Sequence, residues 1–249
     1  MLISTVADIF ARSSFVRSDT TYTAIGRSDI HIHTMKIKSL LSVSILFFAA
    51  CSNTNEKRLP ILGEREPVQK QVNGETVTDT IYQTIPPFSF LNQDSSIITE
   101  KTFEGKIYVA DFFFTSCTSI CPIMHRNMLK VYQEFKNQED VAILSHTIDF
   151  KYDTPSKLKS YAEKLGITGN QWQFAKGSKD SVYTLAEKNY LVAVSEDKSA
   201  ADGFVHQGWF ILVDKERRLR GAYDGTKQEQ VEQLIEDMHI LLREYNDAD

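Results

Sequence analysis

Two cysteines four residues apart are the strongest chemical signal in this sequence. Cys117 and Cys121 follow the aromatic run Phe112–Phe114, and Pro122 comes directly after the second cysteine. Proline is favoured in the first turn of a helix, so we expect the pair where a buried strand passes into a helix. The N-terminus of a helix stabilises a thiolate and lowers the pKa of a cysteine placed there. Because one helical turn brings residues i and i+4 together, the two sulfurs could form a disulfide or bind one soft metal ion.

A carboxylate is predicted on the strand that leads to the cysteines. Asp111 shares a strand face with Val109 and Phe113, so the alternation of the strand places it in an apolar core. A buried carboxyl group should have a raised pKa and could accept a thiol proton. A purely structural role, in which Asp111 bonds to a buried partner or caps a loop, explains the position equally well.

Alternating strands and helices must position these groups. The predicted strands are Lys106–Phe114, Val141–Phe150 and Trp172–Ala175, followed by a hairpin of Trp209–Val213 with Leu219–Tyr223. Four helices are predicted. The first begins at Pro122, the second runs from Thr154-Pro155 to Gly166, and the third covers Lys179–Tyr190. The last extends from a capping box at Thr226 and Glu229 to about Tyr245. This order predicts one α/β domain with a central mixed sheet flanked by helices. An Asn73-Gly74 turn predicts a separate N-terminal hairpin.

Three further side chains near the cysteines are expected to have ordinary roles. His125 could share a helix face with Cys121, but we expect it to face solvent because the apolar stripe of that helix is on the other side. Met124 and Met128 offer soft sulfur at core spacing, so we interpret both as packing residues.

The N-terminal region has the pattern of an export signal. Lys36 and Lys38 precede the apolar run Leu40–Ala50, which is too short to span a bilayer and ends directly before Cys51. Small residues before a cysteine resemble the lipobox of bacterial lipoproteins, in which the cysteine is lipidated. We therefore expect Cys51 to be the lipidation site, and an ordinary secretory signal with an incidental cysteine is the alternative.

The chain is accordingly divided into four parts. Because a signal acts from the N-terminus, residues 1–34 are expected to be a wrongly assigned or disordered extension, and residues 35–50 the lipoprotein signal peptide. Residues 51–85 are expected to form a tether and the N-terminal hairpin, and residues 86–246 the folded domain. This places the protein outside the cytoplasm on a bacterial membrane, facing the periplasm in a Gram-negative cell.

Composition excludes several other classes of protein. The 249 residues carry a formal net charge of −5, so there is no basic surface for nucleic acid. Three cysteines are too few for a disulfide-rich scaffold. A single enzyme or binding domain remains.

Taken together, three motifs resemble the SCO/SenC family of thioredoxin-like copper proteins. They are Phe112–Pro122, the Asp149-x-x-x-Asp153-Thr154-Pro155 segment, and Gly203–Gly208. The resemblance covers residues 86–245 and implies a thioredoxin-like fold. It also implies one copper ion bound by Cys117, Cys121 and His206, with Asp149 and Asp153 shaping the copper loop or a partner surface. Capping and turn formation before Thr154-Pro155 explain the two aspartates nearly as well. Asp111 resembles the buried aspartate that serves thioredoxins as a proton acceptor.

The chemistry of this donor set agrees with the resemblance. Thiolates select Cu(I), and imidazole suits both copper oxidation states. A structural zinc site normally needs four protein ligands, and the domain has no third cysteine. A histidine before a strand can also serve only to hold a loop by hydrogen bonding, so the role of His206 needs its own test.

The resemblance implies a membrane-anchored copper-binding redoxin. Similar proteins deliver copper, or reduce cysteines, during assembly of the copper A centre of cytochrome c oxidase, so the implied partner is that oxidase subunit or another recipient of copper or thiols. The alternative is an enzyme, a general extracytoplasmic thiol–disulfide oxidoreductase that uses Cys117 and Cys121 as a redox-active pair.

Overall fold

The computed structural model describes residues 57–197 and 204–247. Our predictions for residues 1–34, for the signal at 35–50 and for Cys51 lie outside these ranges. In the part of the chain that is described, no helix is both long and apolar enough to cross a membrane.

The described residues form eleven strands and four α-helices. The strands are β1 (Arg65–Val72), β2 (Glu75–Tyr82), β3 (Ser89–Leu91), β4 (Ile97–Thr99), β5 (Ile107–Phe113), β6 (Val141–Thr147), β7 (Trp172–Ala175), β8 (Val194–Glu196), β9 (Phe204–His206), β10 (Trp209–Val213) and β11 (Leu219–Asp224). The helices are α1 (Cys121–Glu134), α2 (Pro155–Lys164), α3 (Lys179–Thr184) and α4 (Gln228–Asn246).

The core is a five-stranded mixed sheet in the order β11–β10–β5–β6–β7. Strands β5, β6 and β7 are parallel, and β10 runs antiparallel to both β5 and β11. Every residue of the three parallel strands is buried, as expected of strands covered on both faces. The predicted mixed α/β architecture is therefore confirmed, and it places the β5–α1 junction in the middle of the sheet.

The predicted N-terminal hairpin is also confirmed. Strands β1 and β2 pair in full antiparallel register, with Val72 opposite Glu75. Asn73 and Gly74 both have positive φ, at 54° and 87°, which is typical of a two-residue hairpin turn. Almost every side chain of the hairpin is exposed, so it contributes little to the core.

Three predicted elements differ in detail. The strand that begins at Val141 ends at Thr147, because the chain then turns through hydrogen bonds to Asp149. The predicted helix over 179–190 is α-helical only to Thr184 and continues as a π-helix over Leu185–Tyr190. The predicted capping box at the last helix was wrong.

Helix α4 begins after Lys227 and has no side-chain cap. The hydroxyl of Thr226 instead donates a hydrogen bond to Asp224, at 2.6 Å. The carboxylate of Asp224, at the end of β11, therefore competes successfully for the hydroxyl that the sequence pattern assigned to the helix.

Candidate metal centre

The two cysteines lie together at the carboxyl end of β5. Cys121 is the first residue of α1, and its backbone N–H donates to Sγ of Cys117 at 3.4 Å. Sγ of Cys117 is also 3.5 Å from the hydroxyl of Ser119. Both residues are thiols rather than a disulfide. Cys117 is 8% exposed and Cys121 only 1%, so Cys117 is the more accessible of the two.

The pKa of the Cys121 thiol differs from what its position at the N-terminus of a helix predicts. Its hydrogen bond with Cys117 and then its burial raise the pKa of the Cys121 thiol above its ordinary value. The charges of Cys117 and Asp111 act in the same direction. The predicted lowering of the pKa is therefore wrong for Cys121, because the hydrogen bond with Cys117 and the burial of the thiol both favour its neutral form. Each thiol must lose its proton before it can bind a metal ion.

Asp153 shapes the loop that carries the cysteines. Its carboxylate is fully buried and accepts hydrogen bonds from the backbone N–H of Thr115 at 3.0 Å and from the Thr115 hydroxyl at 2.5 Å. It also accepts a bond from Thr147 at the end of β6, at 2.6 Å. The position of Asp153 agrees with the predicted loop-shaping role, because it ties the segment before Cys117 to the neighbouring strand.

The side-chain hydrogen bonds of Asp149, unlike those of Asp153, are made with residues close to it in the sequence. Its carboxylate accepts hydrogen bonds from the backbone N–H groups of Lys151 and Tyr152, at 3.2 and 2.9 Å. These bonds close the turn after β6, so the hydrogen bonds of Asp149 match the turn-forming alternative.

Asp111 is fully buried, as the strand alternation predicted. Oδ1 accepts a hydrogen bond from Ser145 at 2.5 Å, and Ser145 in turn accepts one from the indole of Trp172 at 2.9 Å. Oδ2 lies 3.4 Å from Nε2 of His125. Asp111 is therefore a member of a buried polar network behind the cysteine pair.

The prediction that His125 faces solvent was wrong. The residue is 1% exposed, and Nδ1 lies 2.6 Å from the hydroxyl of Tyr161. The ring of Phe113 stands edge-on to the imidazole at 4.9 Å. Helix α1 therefore buries His125 along with Met124 and Met128. The Tyr161 hydroxyl on α2 is the hydrogen-bond partner of Nδ1, whereas Nε2 approaches Asp111 of β5 without forming a hydrogen bond.

The backbone at His206 lies beside the cysteine segment, whereas its side chain lies outside what the structure describes. His206 ends β9, opposite Val194 of β8. Two residues earlier, the ring of Phe204 packs on Phe114 at 4.9 Å between centroids. Two residues later, Gly208 lies so close to the start of α1 that a Cβ added to it would be 3.5 Å from Sδ of Met124. Contacts on both sides of His206 therefore hold its strand against the β5–α1 junction.

Among the side chains described for residues 57–197 and 204–247, which do not include the His206 imidazole, no three His, Cys, Asp or Glu are grouped so that they could hold one metal ion. The described side chains supply two sulfur donors, and the strand carrying His206 runs next to them. Such a set fits a soft monovalent ion such as Cu(I). Fold and site together define a thioredoxin-like protein with a dithiol at the strand–helix junction.

Comparison with known proteins agrees with this class. The sequence model of the SCO1/SenC family matches residues 77–243, and the chain belongs to this family. It is 29% identical over 167 residues to the SCO1 protein homolog of Bacillus subtilis, covering 66% of this chain and 86% of that protein.

Two solved structures are similar over nearly their whole length. A SCO1/SenC family lipoprotein from Bacillus anthracis has 29% identity and a TM-score of 0.60, covering 65% of this chain and 96% of that chain. BsSco, a member of the Sco family of cytochrome c oxidase assembly proteins, has 29% identity and a TM-score of 0.56, covering 65% of this chain and 94% of that chain. The predicted thioredoxin-like fold is confirmed.

Tyr161 and Ser145 are parts of the buried polar network behind the cysteines that the sequence motifs did not point to. Tyr161 lies on α2, and Ser145 follows the four apolar residues that begin β6. The available signal was the pair of buried polar positions, Asp111 and Ser145, which are direct neighbours across the parallel β5–β6 pair.

Proposed function

We propose that this chain is a membrane-anchored copper-binding redoxin that delivers copper, or reduces cysteines, during assembly of the copper A centre of cytochrome c oxidase. Cys117 and Cys121 are the thiolate ligands and His206 is the third. Copper is the cargo, and three ligands leave a coordination position open for transfer to the recipient.

The observation that carries the proposal is the convergence of two separate segments of the chain. The Cys121 N–H lies 3.4 Å from the Cys117 sulfur, and Phe204 and Gly208 hold the strand of His206 against the same junction. Relatives support the choice of metal and partner. A protein from Stutzerimonas stutzeri with 29% identity over 147 residues is described as copper-binding, and BsSco belongs to a family of oxidase assembly proteins.

Anaerobic Cu(I) titration of the reduced full chain tests the ligand set. We expect one copper per chain, lost when either Cys117 or Cys121 is replaced by alanine. His206→Ala should weaken Cu(I) binding by more than about a hundredfold, since loss of outer-shell contacts alone costs about 10- to 100-fold. Gln207→Ala, which changes the neighbouring residue, is the matched control. Full affinity in His206→Ala would remove the chaperone assignment.

A thiol–disulfide oxidoreductase is the second candidate, and the close approach of the two cysteines favours it. BsSco is described as containing a disulfide switch. The two candidates differ at His206, because disulfide exchange needs the sulfurs but not the imidazole. Retention of exchange together with loss of copper binding in His206→Ala would show that both activities use the same pair.

The membrane anchor is proposed to be a lipid on Cys51, with residues 35–50 as the signal peptide and 1–34 as an extension outside the mature protein. The Bacillus anthracis relative is described as a lipoprotein, which supports this arrangement. Cys51→Ser should release the protein from the membrane fraction. The measured mass of the unmodified mature protein should correspond to a chain that begins at residue 51. A mature N-terminus within 1–34 would contradict the assignment.

A further inference from the structure

The surface around the cysteine pair is built by two neighbouring segments of the chain. Residues 114–126 contain the cysteine loop and the start of α1, and residues 148–157 contain the loop after β6 and the start of α2. Strands β5 and β6 are adjacent and parallel, so both segments lie at the same edge of the sheet. The hydrogen bond from the Thr115 amide to Asp153 ties them together. The exposed part of these two segments is called the dithiol rim below.

Every exposed charged side chain of the dithiol rim is basic, although the whole chain carries a net charge of −5. The basic residues are Arg126, Lys151 and Lys157. The two acidic residues of the same segments, Asp149 and Asp153, are buried, and their carboxylates accept hydrogen bonds from within the loops. Lys157 lies 3.6 Å from Oδ1 of Asp153, so part of its charge is offset. Arg126 and Lys151 are therefore the main cations that a docking partner would meet.

Exposed apolar side chains accompany these two cations. Ile123 is 42% exposed and Tyr152 is 59% exposed. Ile123 and Arg126 are three residues apart on α1 and share one face of that helix. Nζ of Lys151 lies over the ring of Tyr152, 4.8 Å from its centroid. Each segment of the rim thus presents a cation beside an apolar side chain, a combination that is typical of protein–protein interfaces, where arginine and aromatic residues are enriched.

We propose that the dithiol rim docks proteins whose own cysteines are surrounded by carboxylates, with Arg126 and Lys151 steering the acidic surface onto Cys117. The inference rests on the proposed function and deepens it, because it names the kind of partner that the same cysteine pair serves. Opposite charges on two approaching surfaces raise the association rate by about 10- to 1,000-fold and orient the encounter. Cys117 is the more exposed sulfur, so a docked partner reaches it first. A protein is favoured over a lipid surface because the rim surrounds a dithiol, whose chemistry needs another thiol or metal site.

Thiol exchange with charged peptides tests this proposal. Three synthetic peptides carry one cysteine, joined by a disulfide to neutral 2-thiopyridine and flanked by glutamate, glutamine or lysine residues. In the reduced full chain, Cys117 attacks the peptide sulfur and thiopyridone leaves. Cys121 then closes the Cys117–Cys121 disulfide and releases the peptide thiol, so two electrons pass from the chain to the peptide disulfide. At about 0.01 M ionic strength the glutamate peptide should react about tenfold faster than the lysine peptide. At about 1 M salt, where the Debye length is about 3 Å, this difference should disappear.

Substitutions in the rim assign the preference to named side chains. Arg126→Gln and Lys151→Gln should each lower the ratio of the glutamate-peptide rate to the glutamine-peptide rate by about twofold, and the double variant should remove the preference. Both side chains are exposed, so neither change disturbs the core. Lys136→Gln removes an exposed charge just beyond the opposite end of α1 and is the matched control, which should retain the full ratio.

Equal rates for the three peptides, or a preference that the double variant retains, overturn the inference, and intact Cu(I) binding then leaves the proposed function standing. Binding of the Cys51→Ser chain to phosphatidylglycerol vesicles through Arg126 and Lys151, without a peptide preference, also overturns it, because the rim would then be a membrane surface. A chain that neither binds Cu(I) nor exchanges through Cys117 and Cys121 overturns both the inference and the proposed function.

Discussion

The carboxylate of Asp153 holds the backbone of Thr115, with 3.0 Å between Oδ2 and the amide nitrogen. The two residues belong to loops that follow adjacent parallel strands, β6 and β5. Cys117 is two residues beyond Thr115, so one buried carboxylate determines where the cysteine loop leaves the sheet. Hydrogen bonds to Asp153, from the loop after β6, thus fix the backbone and the hydroxyl of Thr115 just before the cysteines.

Asp153→Ala is expected to lower the free energy of unfolding by about 3 kcal/mol. The substitution leaves the amide and hydroxyl of Thr115 and the hydroxyl of Thr147 without their buried acceptor. Copper affinity should fall with it, because the cysteine loop loses its anchor. Urea denaturation and Cu(I) competition measure the two effects. Asp149→Ala, which removes only turn contacts, is the comparison and should cost about 1 kcal/mol. Equal losses in the two variants would contradict a special role for Asp153.

Asp111→Asn is expected to make Cys121 react more readily with iodoacetamide. The charge of Asp111 helps to raise the pKa of the Cys121 thiol, so its removal should shift the pH profile of alkylation to lower pH. Below the midpoint the alkylation rate should rise, because a larger fraction of Cys121 is then thiolate. Mass spectrometry of the alkylated Cys121 peptide gives the rate. Asp149→Asn is the control, and an unchanged profile in Asp111→Asn would end the proton-acceptor role of Asp111.

His146 is expected to make the fold sensitive to acid. Burial lowers the pKa of His146 from 6.5 to about 4, with the charge of Asp111 acting weakly in the opposite direction. Neither ring nitrogen has a hydrogen-bond partner, and the imidazole stacks on Phe112 with 5.1 Å between centroids. Below pH 6.5 the unfolded chain binds a proton at this position that the folded chain does not bind until about pH 4. Stability should therefore fall by about 3 kcal/mol as the pH drops through that window.

The effect of His146 is measured as a difference between proteins. Urea denaturation of the unmodified chain and of His146→Leu at pH 7 and pH 4 should show a smaller loss in the variant, by about 3 kcal/mol. His239→Leu removes a partly exposed imidazole beside Glu134 and should retain the full loss. Parallel pH profiles for the unmodified chain and His146→Leu would show that His146 is not the sensitive group.

Removal of the β1–β2 hairpin is expected to leave the domain intact. The carbonyl of Glu64 and the amide of Gln83 are hydrogen-bonded at 2.9 Å, so a short glycine linker can replace residues 65–82. Because the hairpin side chains are nearly all exposed, the free energy of unfolding should change by less than about 1 kcal/mol. Thermal and urea unfolding test this.

Gly177→Ala is the substitution with which the stability of the hairpin deletion is compared, because it is expected to destabilise the core. A Cβ at Gly177 would lie 2.3 Å from Cε1 of Phe90, and such overpacking should cost about 2 kcal/mol. If the hairpin deletion costs as much as Gly177→Ala, the hairpin is a structural part of the domain.

Local sequence was sufficient to predict most of the framework. The apolar run before Cys117 and the proline after Cys121 predicted the strand–helix junction, and Asn73-Gly74 predicted the hairpin turn, because strand period, helix period and turn geometry are properties of neighbouring residues. Burial of Asp111 was predicted for the same reason. These signals, with the family motifs, were enough to predict the two cysteines as the centre of the candidate site.

Only the tertiary structure decided which polar groups meet in the core. The periodicity of α1 placed His125 outside its apolar stripe, yet a phenol 36 residues away on α2 and a carboxylate on β5 give it a buried position. Likewise, Asp224 takes the hydroxyl of Thr226 that a capping pattern assigned to α4. The amino-acid sequence by itself determined the cysteine pair and the strand–helix framework that presents it, since these depend on near neighbours. The partners of His125 depend on how distant segments pack, because a buried polar group is stable wherever packing supplies its hydrogen bonds.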